Sequence, residues 1–158
     1  MRKHLRAAAM MVGVMAAGGA WAGDGETSQT GAARAQRAEL PAEVAQRLKD
    51  NFPAATVAQV NHWGGGFSAT LVEGLRQHEV LLDAVGNVVE RHLPVAVSAL
   101  PDAVRATVDR THPRHTLWRA TRIETDAGVF HEVLLARGDK RSAVVLDPEA
   151  RVLAGLRG

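Results

Sequence analysis

The stretch Leu40-Pro41-Ala42-Glu43-Val44 recurs 60 residues later as Leu100-Pro101-Asp102-Ala103-Val104, with Leu, Pro and Val in the same places. Proline suits the first position of an α-helix, because the N–H that it lacks would have no partner there. An acidic residue follows in the first turn of each copy, where it favours the positive end of the helix dipole. The two stretches therefore predict two helices, each beginning at its proline.

Apolar residues spaced four apart continue each predicted helix. They are Leu40, Val44, Leu48 and Phe52 in the first helix and Leu100, Val104 and Val108 in the second. This spacing places them on one side of a helix. Pro53 and Pro113 disfavour helical backbone in the residue before them, so both helices are predicted to end there.

Segments rich in β-branched and aromatic residues follow each helix, separated by turn residues such as Gly64-Gly65-Gly66. The predicted strands are 56–63, 67–72, 77–82 and 88–93 in the first copy, and 116–123, 129–135, 142–146 and 152–156 in the second. A Leu-Asp pair begins the last turn of both copies. Because Ala150 stands where Gly86 stands in the first copy, these two turns are expected to differ in backbone shape.

The pattern predicts an α+β fold, a tandem repeat of one helix plus a four-stranded antiparallel sheet, with copies at residues 39–97 and 98–158. A lone unit of about 60 residues buries too little surface to be stable, so the copies are expected to share a core or continue one sheet. The helices are expected to cover one face of the sheet and to leave the other face open and partly polar.

The doubled Leu-Pro-x-x-Val, the following Phe52-Pro53 and His112-Pro113, and the Leu-Asp turns resemble the PepSY-like family. These are exported bacterial domains related in fold to the β-lactamase inhibitor protein, and the resemblance covers residues 39–158. It implies tandem helix-plus-sheet repeats and a binding or inhibitory role outside the cytoplasm, and it supplies no catalytic residue. His112 in place of an aromatic residue and Ala150 in place of the turn glycine depart from the family pattern.

The first 22 residues have the pattern of a cleavable secretory signal peptide. A basic start leads into an apolar stretch shorter than a membrane span, and then into Ala20-Trp21-Ala22, which fits the small-x-small cleavage rule. Residues 23–38 lack a hydrophobic period and are predicted to be a disordered linker. A periplasmic or secreted protein with no membrane attachment after cleavage is expected.

Cleavage changes the charge balance. Loss of Arg2, Lys3 and Arg6 reduces 19 basic residues to 16 against 17 acidic ones, so the net charge changes from +2 to −1. The basic character of the full chain therefore gives no reason to expect a nucleic-acid partner. The chain has no cysteine, which excludes disulfides and cysteine nucleophiles.

The sequence carries no recognisable catalytic motif, and no enzyme activity, cofactor or metal is predicted. No serine lies in a Gly-x-Ser-x-Gly elbow, and no lysine and helix follow the glycine run to bind a phosphate. His-Glu-Val-Leu-Leu occurs at His78 and at His131, but leucine stands where a zinc protease needs its second histidine. In strands, His and Glu of this motif point to opposite faces, so it is interpreted as strand composition.

Two functional hypotheses follow. The first is a protein- or peptide-binding module that inhibits a hydrolase through an open sheet face, with Trp118, Arg119, Arg122 and Trp63 as candidate partner-binding residues, since exposed Trp and Arg anchor interfaces. The pattern favours a core position for Trp63 and leaves Trp118 open, because its counterpart in the first copy is a small alanine. The alternative is a metal-responsive or metal-binding module that uses the histidines, of which the run 112–115 is the densest group.

Overall fold

The computed structural model describes residues 38–157 and the side chains of residues 38–153. In it each of two helices is followed by four strands, in the predicted order. The helices are α1 (Ala42–Asn51) and α2 (Asp102–Thr111), and the strands are β1 (Thr56–Trp63), β2 (Gly66–Glu73), β3 (Arg76–Leu82), β4 (Val88–Val95), β5 (Thr116–Thr125), β6 (Gly128–Arg137), β7 (Lys140–Leu146) and β8 (Val152–Arg157). A single 3₁₀ turn, Val97–Ala99, precedes α2. The predicted signal peptide and all but the last residue of the predicted linker lie outside the described residues.

Both helices begin one residue later than predicted. Pro41 and Pro101 are the cap residues before the helices, with nearly identical extended backbone (φ −53°, ψ 144° and φ −54°, ψ 144°). Each proline carbonyl accepts the first helical hydrogen bond, at 2.9 Å from Ala45 N–H and 3.1 Å from Arg105 N–H. The extended ψ keeps the proline itself outside the helix while its carbonyl still satisfies one N–H of the first turn.

The helix ends agree with the predictions. Phe52 and His112 are the residues after the helices, both with φ −133°, and each N–H donates back to the carbonyl four residues earlier. The following proline of each copy excludes helical backbone at these positions.

The strands form one antiparallel sheet in which spatial order equals chain order, from β1 to β8. β4 pairs with β5, where Val95 lies opposite Ala120. The strands after α1 and the strands after α2 thus continue a single sheet. We call the segments α1–β4 and α2–β8 the first and second halves of the molecule.

Breaks in the pairing recur at matching places in the two halves. The register shifts fall at 57–59 and 117–119 in the first strand of each half, and at 81–82 and 145–146 in the third. Such a β-bulge leaves one residue without a partner on the neighbouring strand. In the first strands these residues are Ala58 and Trp118.

Both helices pack on the same face of the sheet, over two separate apolar clusters. In the first half the cluster is Val44, Leu48, Phe52, Phe67, Ala69, Leu71, Val80 and Leu82. In the second it is Leu100, Val104, Val108, Ala120, Val133, Leu135, Val144, Leu146 and Ala150. The predicted apolar stripes of the helices are therefore confirmed as their buried sides.

The opposite surface of the sheet, which we call the far face, carries the alternate residues of each strand. Its central members are Leu81 of β3, Glu90 and His92 of β4, Ile123 of β5, Phe130 and Glu132 of β6, and Val145 of β7. No described helix is part of a core cluster on this face.

The expectation of an open far face holds for its rim but is wrong for its middle. Gln59, Gln77 and Arg119 are exposed, whereas the four apolar members of the middle expose less than a tenth of their surface. Ile123 and Phe130 lie opposite each other, and such cross-strand neighbours bury part of one another. The face therefore has a largely buried middle of mixed composition, with Glu90, His92 and Glu132 among the apolar residues, and a polar, exposed rim.

The turns that lead into β4 and β8 share one hydrogen-bond pattern. In each, an aspartate (Asp83 or Asp147) accepts on Oδ1 from the backbone N–H groups two and four residues later, at 3.0 and 2.8 Å. The aspartate N–H donates to the carbonyl four residues later, at 3.0 Å in both turns.

The expectation that these turns differ in backbone shape is wrong. Gly86 has φ +90° and Ala150 has φ +59°, so the alanine adopts the left-handed region that glycine usually fills. The hydrogen bonds of Asp147 fix the turn, and the Ala150 side chain is buried in the apolar cluster beneath α2. Burial of this methyl group and the bonded turn offset the cost of the conformation.

The predicted linker does not extend through Ala38. The Ala38 N–H donates to the Val60 carbonyl at 3.0 Å, and its side chain packs against the apolar cluster of the first half. A backbone partner on β1 and an apolar contact fix this residue, which composition alone had placed in the linker.

Candidate partner-binding face

Trp118 and Arg119 lie together on the far face because of the bulge in β5. Leu117 packs against the cluster under α2, and Arg119 lies opposite Leu134 on the far face. Trp118, between them, has no partner on β6 and exposes 55% of its surface. The structure thus answers the question that the sequence left open for Trp118, which is a surface residue.

Two guanidinium groups flank the Trp118 ring. The Arg119 Cζ lies 5.1 Å and the Arg141 Cζ 5.5 Å from the ring centroid. Arg141 comes from β7, and its Nη1 donates to the carbonyls of Gly138 and Lys140 at 2.8 and 3.2 Å. A cation over an indole ring is attracted by the π electrons, so the three side chains hold one another in place.

Arg122 is separated from the other predicted binding residues. It lies opposite His131 on the helix face of the sheet, and its Nη2 is 2.9 Å from the Glu124 carboxylate. Arg91 of β4 is 3.5 Å from the same carboxylate. Residues 119 and 122 are an odd number apart, so strand alternation places them on opposite faces. Grouping Arg122 with Trp118 and Arg119 is therefore wrong.

Trp63 lies at the end of β1, opposite Gly66, and is half-buried. It belongs to neither apolar cluster, so the core position that the sequence favoured is wrong. Alternation along β1 places it on the far face, four strands from Trp118.

Acidic groups and a histidine occupy the middle of the far face. His92 Nε2 is 2.9 Å from Glu90 Oε2, and Glu79 lies opposite His92 on β3. Burial raises the pKa of Glu132 above its usual value, and the nearby His92 opposes this effect. Glu132 Oε1 is buried without a hydrogen-bond partner. Burial of an unpaired carboxylate oxygen favours the neutral form of this side chain.

The two histidines of the repeated His-Glu-Val-Leu-Leu motif lie on the helix face, and the glutamates lie on the far face. His78 and His131 expose 6% and 8% of their surface. The His78 ring is 5.9 Å from Phe52, and burial followed by the charge of Arg122 lowers the pKa of His131. The alternation predicted for this motif is confirmed, and the histidines are core residues.

His112 and His115, the densest histidine group of the sequence, do lie together after α2. Their rings are 5.5 Å apart and edge to face. Burial, followed by the charge of His115, lowers the pKa of His112. Within residues 38–157, no three metal-ligating side chains come close enough to hold an ion. The structure thus brings two ligands together at this place and not a third.

Solved structures provide a comparison for this architecture. The chain is similar to a BLIP-like protein from Bacteroides fragilis, with a TM-score of 0.62 and 18% identity over 76% of this chain and 87% of that one. The chain has a BLIP-like fold. A DUF2874 family protein from Bacteroides uniformis has a TM-score of 0.66 and 16% identity over 74% of this chain and 88% of that one. A candidate periplasmic protein from Bacteroides eggerthii has a TM-score of 0.68 and 14% identity over 76% of this chain and 90% of that one.

These likenesses extend to the fold alone, because the identities are low. No protein-family model and no curated protein matches the sequence, so membership of the PepSY-like family is not confirmed. Between residues 38 and 157, no helix has the length and apolar character needed to cross a membrane.

Sequence reasoning missed Arg141 and Glu132 as far-face residues. Arg141 lies in a charged run that reads as a solvated hairpin, and its position beside Trp118 depends on the pairing of β5 with β6 and of β6 with β7. The outward position of Glu132 follows from strand alternation, which the sequence did offer.

Proposed function

We propose that the chain is an exported, non-enzymatic protein-binding module made of two PepSY-like copies, residues 39–97 and 98–158. The recurring Leu-Pro stretch, the matching proline caps, the equivalent β-bulges and the identical aspartate turns support a duplication. Independent origin of four such features in the same order is a poor explanation for them.

Export is supported by the sequence of residues 1–22, which has the pattern of a cleavable signal. A protein of similar fold from Bacteroides eggerthii is described as a candidate periplasmic protein, which agrees with this location. In this proposal residues 23–37 connect the signal to the folded part, and the product is periplasmic or secreted.

Protein binding is supported by one observation above all, the composition of the far face. Trp118 and Arg119 are exposed on it, beside a largely buried middle that contains Leu81, Ile123 and Phe130. Exposed Trp and Arg side chains are typical of protein interfaces. The helices pack on the other face, so this surface does not serve the core beneath them.

Inhibition of a periplasmic or extracellular hydrolase is the specific form of binding that we propose. The support is the similarity in fold to a BLIP-like protein, together with a sequence that has no cysteine and no nucleophile elbow. In this proposal the far face covers the substrate cleft of the hydrolase and takes no chemical part in its reaction.

Site-specific crosslinking tests the proposed face, and the cysteine-free sequence makes each introduced thiol unique. Gln77→Cys places a crosslinker on the far face at an exposed position, and Gln46→Cys places the matched control on exposed α1. We expect Gln77→Cys to trap a protein from periplasmic extract and Gln46→Cys to trap none. Equal trapping at both positions, or none at either, would contradict the proposal.

Hydrolase inhibition is tested on the trapped protein itself. Its purified form is assayed with increasing amounts of the untagged residues 23–158. A dose-dependent fall in hydrolytic rate is expected, and a trapped protein without hydrolase activity would leave binding standing but overturn the inhibitory role.

A further inference from the structure

Trp118 stands out among the aromatic side chains because it is exposed and yet fixed in position. It exposes 55% of its surface, while the described phenylalanines are buried. The guanidinium groups of Arg119 and Arg141 lie 5.1 and 5.5 Å from its ring centroid. This large exposed ring beside two cations belongs to neither apolar cluster, so it is available to a ligand.

The two arginines keep their charge available. Within the described residues, four other arginines lie beside carboxylates, and these are Arg91, Arg105, Arg122 and Arg151. Neither Arg119 nor Arg141 has such a partner in that part of the chain. Arg141 is held by backbone carbonyls instead, which position its guanidinium without neutralising it.

Further positive charge lies at the tip of the β6–β7 hairpin, outside the Trp118 site. Arg137 and Lys140 lie opposite each other at the end of the β6–β7 hairpin. With Asp139 they line a depression of about 380 Å³. Strand alternation from Ala136 and Arg141 places Arg137 and Lys140 on the helix face, so the cations of the Trp118 site are Arg119 and Arg141.

We propose that Trp118, Arg119 and Arg141 form the anchor site for an acidic segment of the protein partner. Within the described residues the Arg119 guanidinium makes no hydrogen bond and Arg141 uses only its Nη1, so both retain N–H groups that can donate to a carboxylate. Trp and Arg are also the residues that contribute most at the centres of protein interfaces. This inference rests on the proposed function and names the chemistry that the partner must present.

The rest of the far face favours a protein over a polyanion such as nucleic acid or an anionic membrane. Glu79 and Glu90 lie on the same face, on β3 and β4 of the first half. A uniformly anionic surface that covered the face would be repelled by these carboxylates. A protein can place its acidic segment on the Trp118 site and apolar or basic groups over the remainder.

Binding of short peptides to residues 23–158 tests this chemistry directly. The probes are a 12-residue peptide that alternates Glu with Leu and Ala, and the same peptide with Gln in place of every Glu. In a Trp63→Phe background, Trp118 is the only tryptophan of residues 23–158, so its fluorescence reports occupancy of the site. We expect the acidic peptide to bind at least 10-fold more tightly than the Gln peptide, and to weaken markedly between 50 and 500 mM salt.

The arginines are tested with Arg119→Gln/Arg141→Gln, for which we expect at least a 10-fold loss of acidic-peptide affinity. Arg110→Gln on α2 removes a positive charge elsewhere and is the matched control, expected to leave affinity unchanged. If the double variant is unstable, the single variants Arg119→Gln and Arg141→Gln are measured instead, and each is expected to weaken the acidic peptide. Equal affinity for the two peptides, unchanged affinity of the double variant, or equal binding to phosphatidylglycerol vesicles would overturn the proposal.

The crosslinking and peptide experiments distinguish a wrong anchor site from a wrong binding function. If Gln77→Cys traps a partner from extract and Arg119→Gln/Arg141→Gln does not weaken the capture, the binding function stands and the acidic anchor is wrong. If no partner is trapped although the acidic peptide binds at the Trp118 site, the chemistry of the site stands and the proposed function is wrong.

Discussion

Asp147 holds Arg151 at two points, with Oδ1 accepting from the backbone N–H at 2.8 Å and Oδ2 accepting from the side-chain Nε at 2.7 Å. Asp83 holds Asn87 in the same way, through the backbone N–H and Nδ2, both at 2.8 Å. The carboxylate is the constant element of the two turns, and the residue four places later adapts its side chain to it.

Asp147→Asn should lower stability at neutral pH and flatten the loss of stability in acid. Burial alone would raise the pKa of Asp147, but the hydrogen bonds and charge of Arg151 outweigh it and lower the pKa below its usual 3.8. The charged carboxylate therefore stabilises the fold above pH 3.8, and this contribution is lost as the pH falls through the folded-state pKa. Thermal unfolding measured between pH 7 and pH 2 checks this.

The matched control for this change is Asp109→Asn, which removes a negative charge from the exposed side of α2. We expect its acid profile to follow that of the unmodified chain. An Asp147→Asn variant with an unaltered acid profile would mean that the turn does not depend on the charge of its aspartate.

His131→Gln should weaken the pH dependence of stability between pH 8 and pH 5. Burial, and then the charge of Arg122, lowers the pKa of His131 below its usual 6.5. The fold favours the neutral ring. The contribution of His131 to the free energy of unfolding is therefore full above pH 6.5 and declines as the pH falls toward the folded-state pKa. Urea midpoints across this range give the slope, with His62→Gln, at an exposed position, as the control. Equal slopes in all three proteins would refute the prediction.

Glu132→Gln should raise the melting temperature at pH 8. Burial raises the pKa of Glu132, and its Oε1 has no hydrogen-bond partner. The protonated Glu132 contributes fully to the free energy of unfolding below its unfolded-state pKa. This contribution is lost as the pH rises through the folded-state pKa. The neutral amide avoids that loss, so the gain should shrink as the pH is lowered to 5. A variant less stable than the parent at pH 8 would show that the charged form has a partner.

Gly86→Ala should be more destabilising than Gly74→Ala. Both glycines have positive φ (+90° and +60°), but a Cβ at position 86 would lie 3.1 Å from the Val44 Cα on α1. A Cβ at position 74 would meet no atom within 4 Å. The left-handed backbone costs about 1 to 2 kcal/mol in either variant, and overpacking adds about 1 to 3 kcal/mol at position 86. Denaturant unfolding of the pair measures the difference, and equal losses would count against the close approach of α1.

Leu48→Ala in α1 should lower the unfolding midpoint that Trp118 reports in the other half. Leu48 exposes 2% of its surface, and truncation of such a leucine costs about 2 to 5 kcal/mol. Because β4 pairs with β5, the halves are expected to unfold together. Single-tryptophan variants, Trp63→Phe and Trp118→Phe, report each half separately. Leu75→Ala is the control at a fully exposed position, and separate midpoints for the halves would contradict one cooperative unit.

The order and bounds of the helices and strands could be predicted because local sequence patterns determine them. Proline positions, four-residue apolar spacing and β-branched runs act within a few residues, and all eight strands appear near their predicted bounds. The left-handed Ala150 could not be predicted, because its cost is offset by Asp147 and by burial against α2, which are tertiary effects.

The candidate site was only partly accessible from sequence. Exposure of Trp118 depends on a β-bulge, and its second cation, Arg141, comes from a strand that lies two places away in the sheet. Register between strands is set by the whole sheet and not by the residues near Trp118. The position of Arg122 could have been deduced, since counting from Arg119 along a strand reverses the face.

The pairing of each strand with its neighbours in the chain has a consequence for how the molecule forms. Among the described residues no strand inserts between two earlier ones, so each pairing can form as soon as the next strand has emerged. A chain that is threaded through a translocation channel from its N-terminus can add hairpins at one growing edge, with short loops to close at each step. The first half can thus fold first and offer the edge of β4 to β5, so that the strands join the sheet in the order in which they leave the channel.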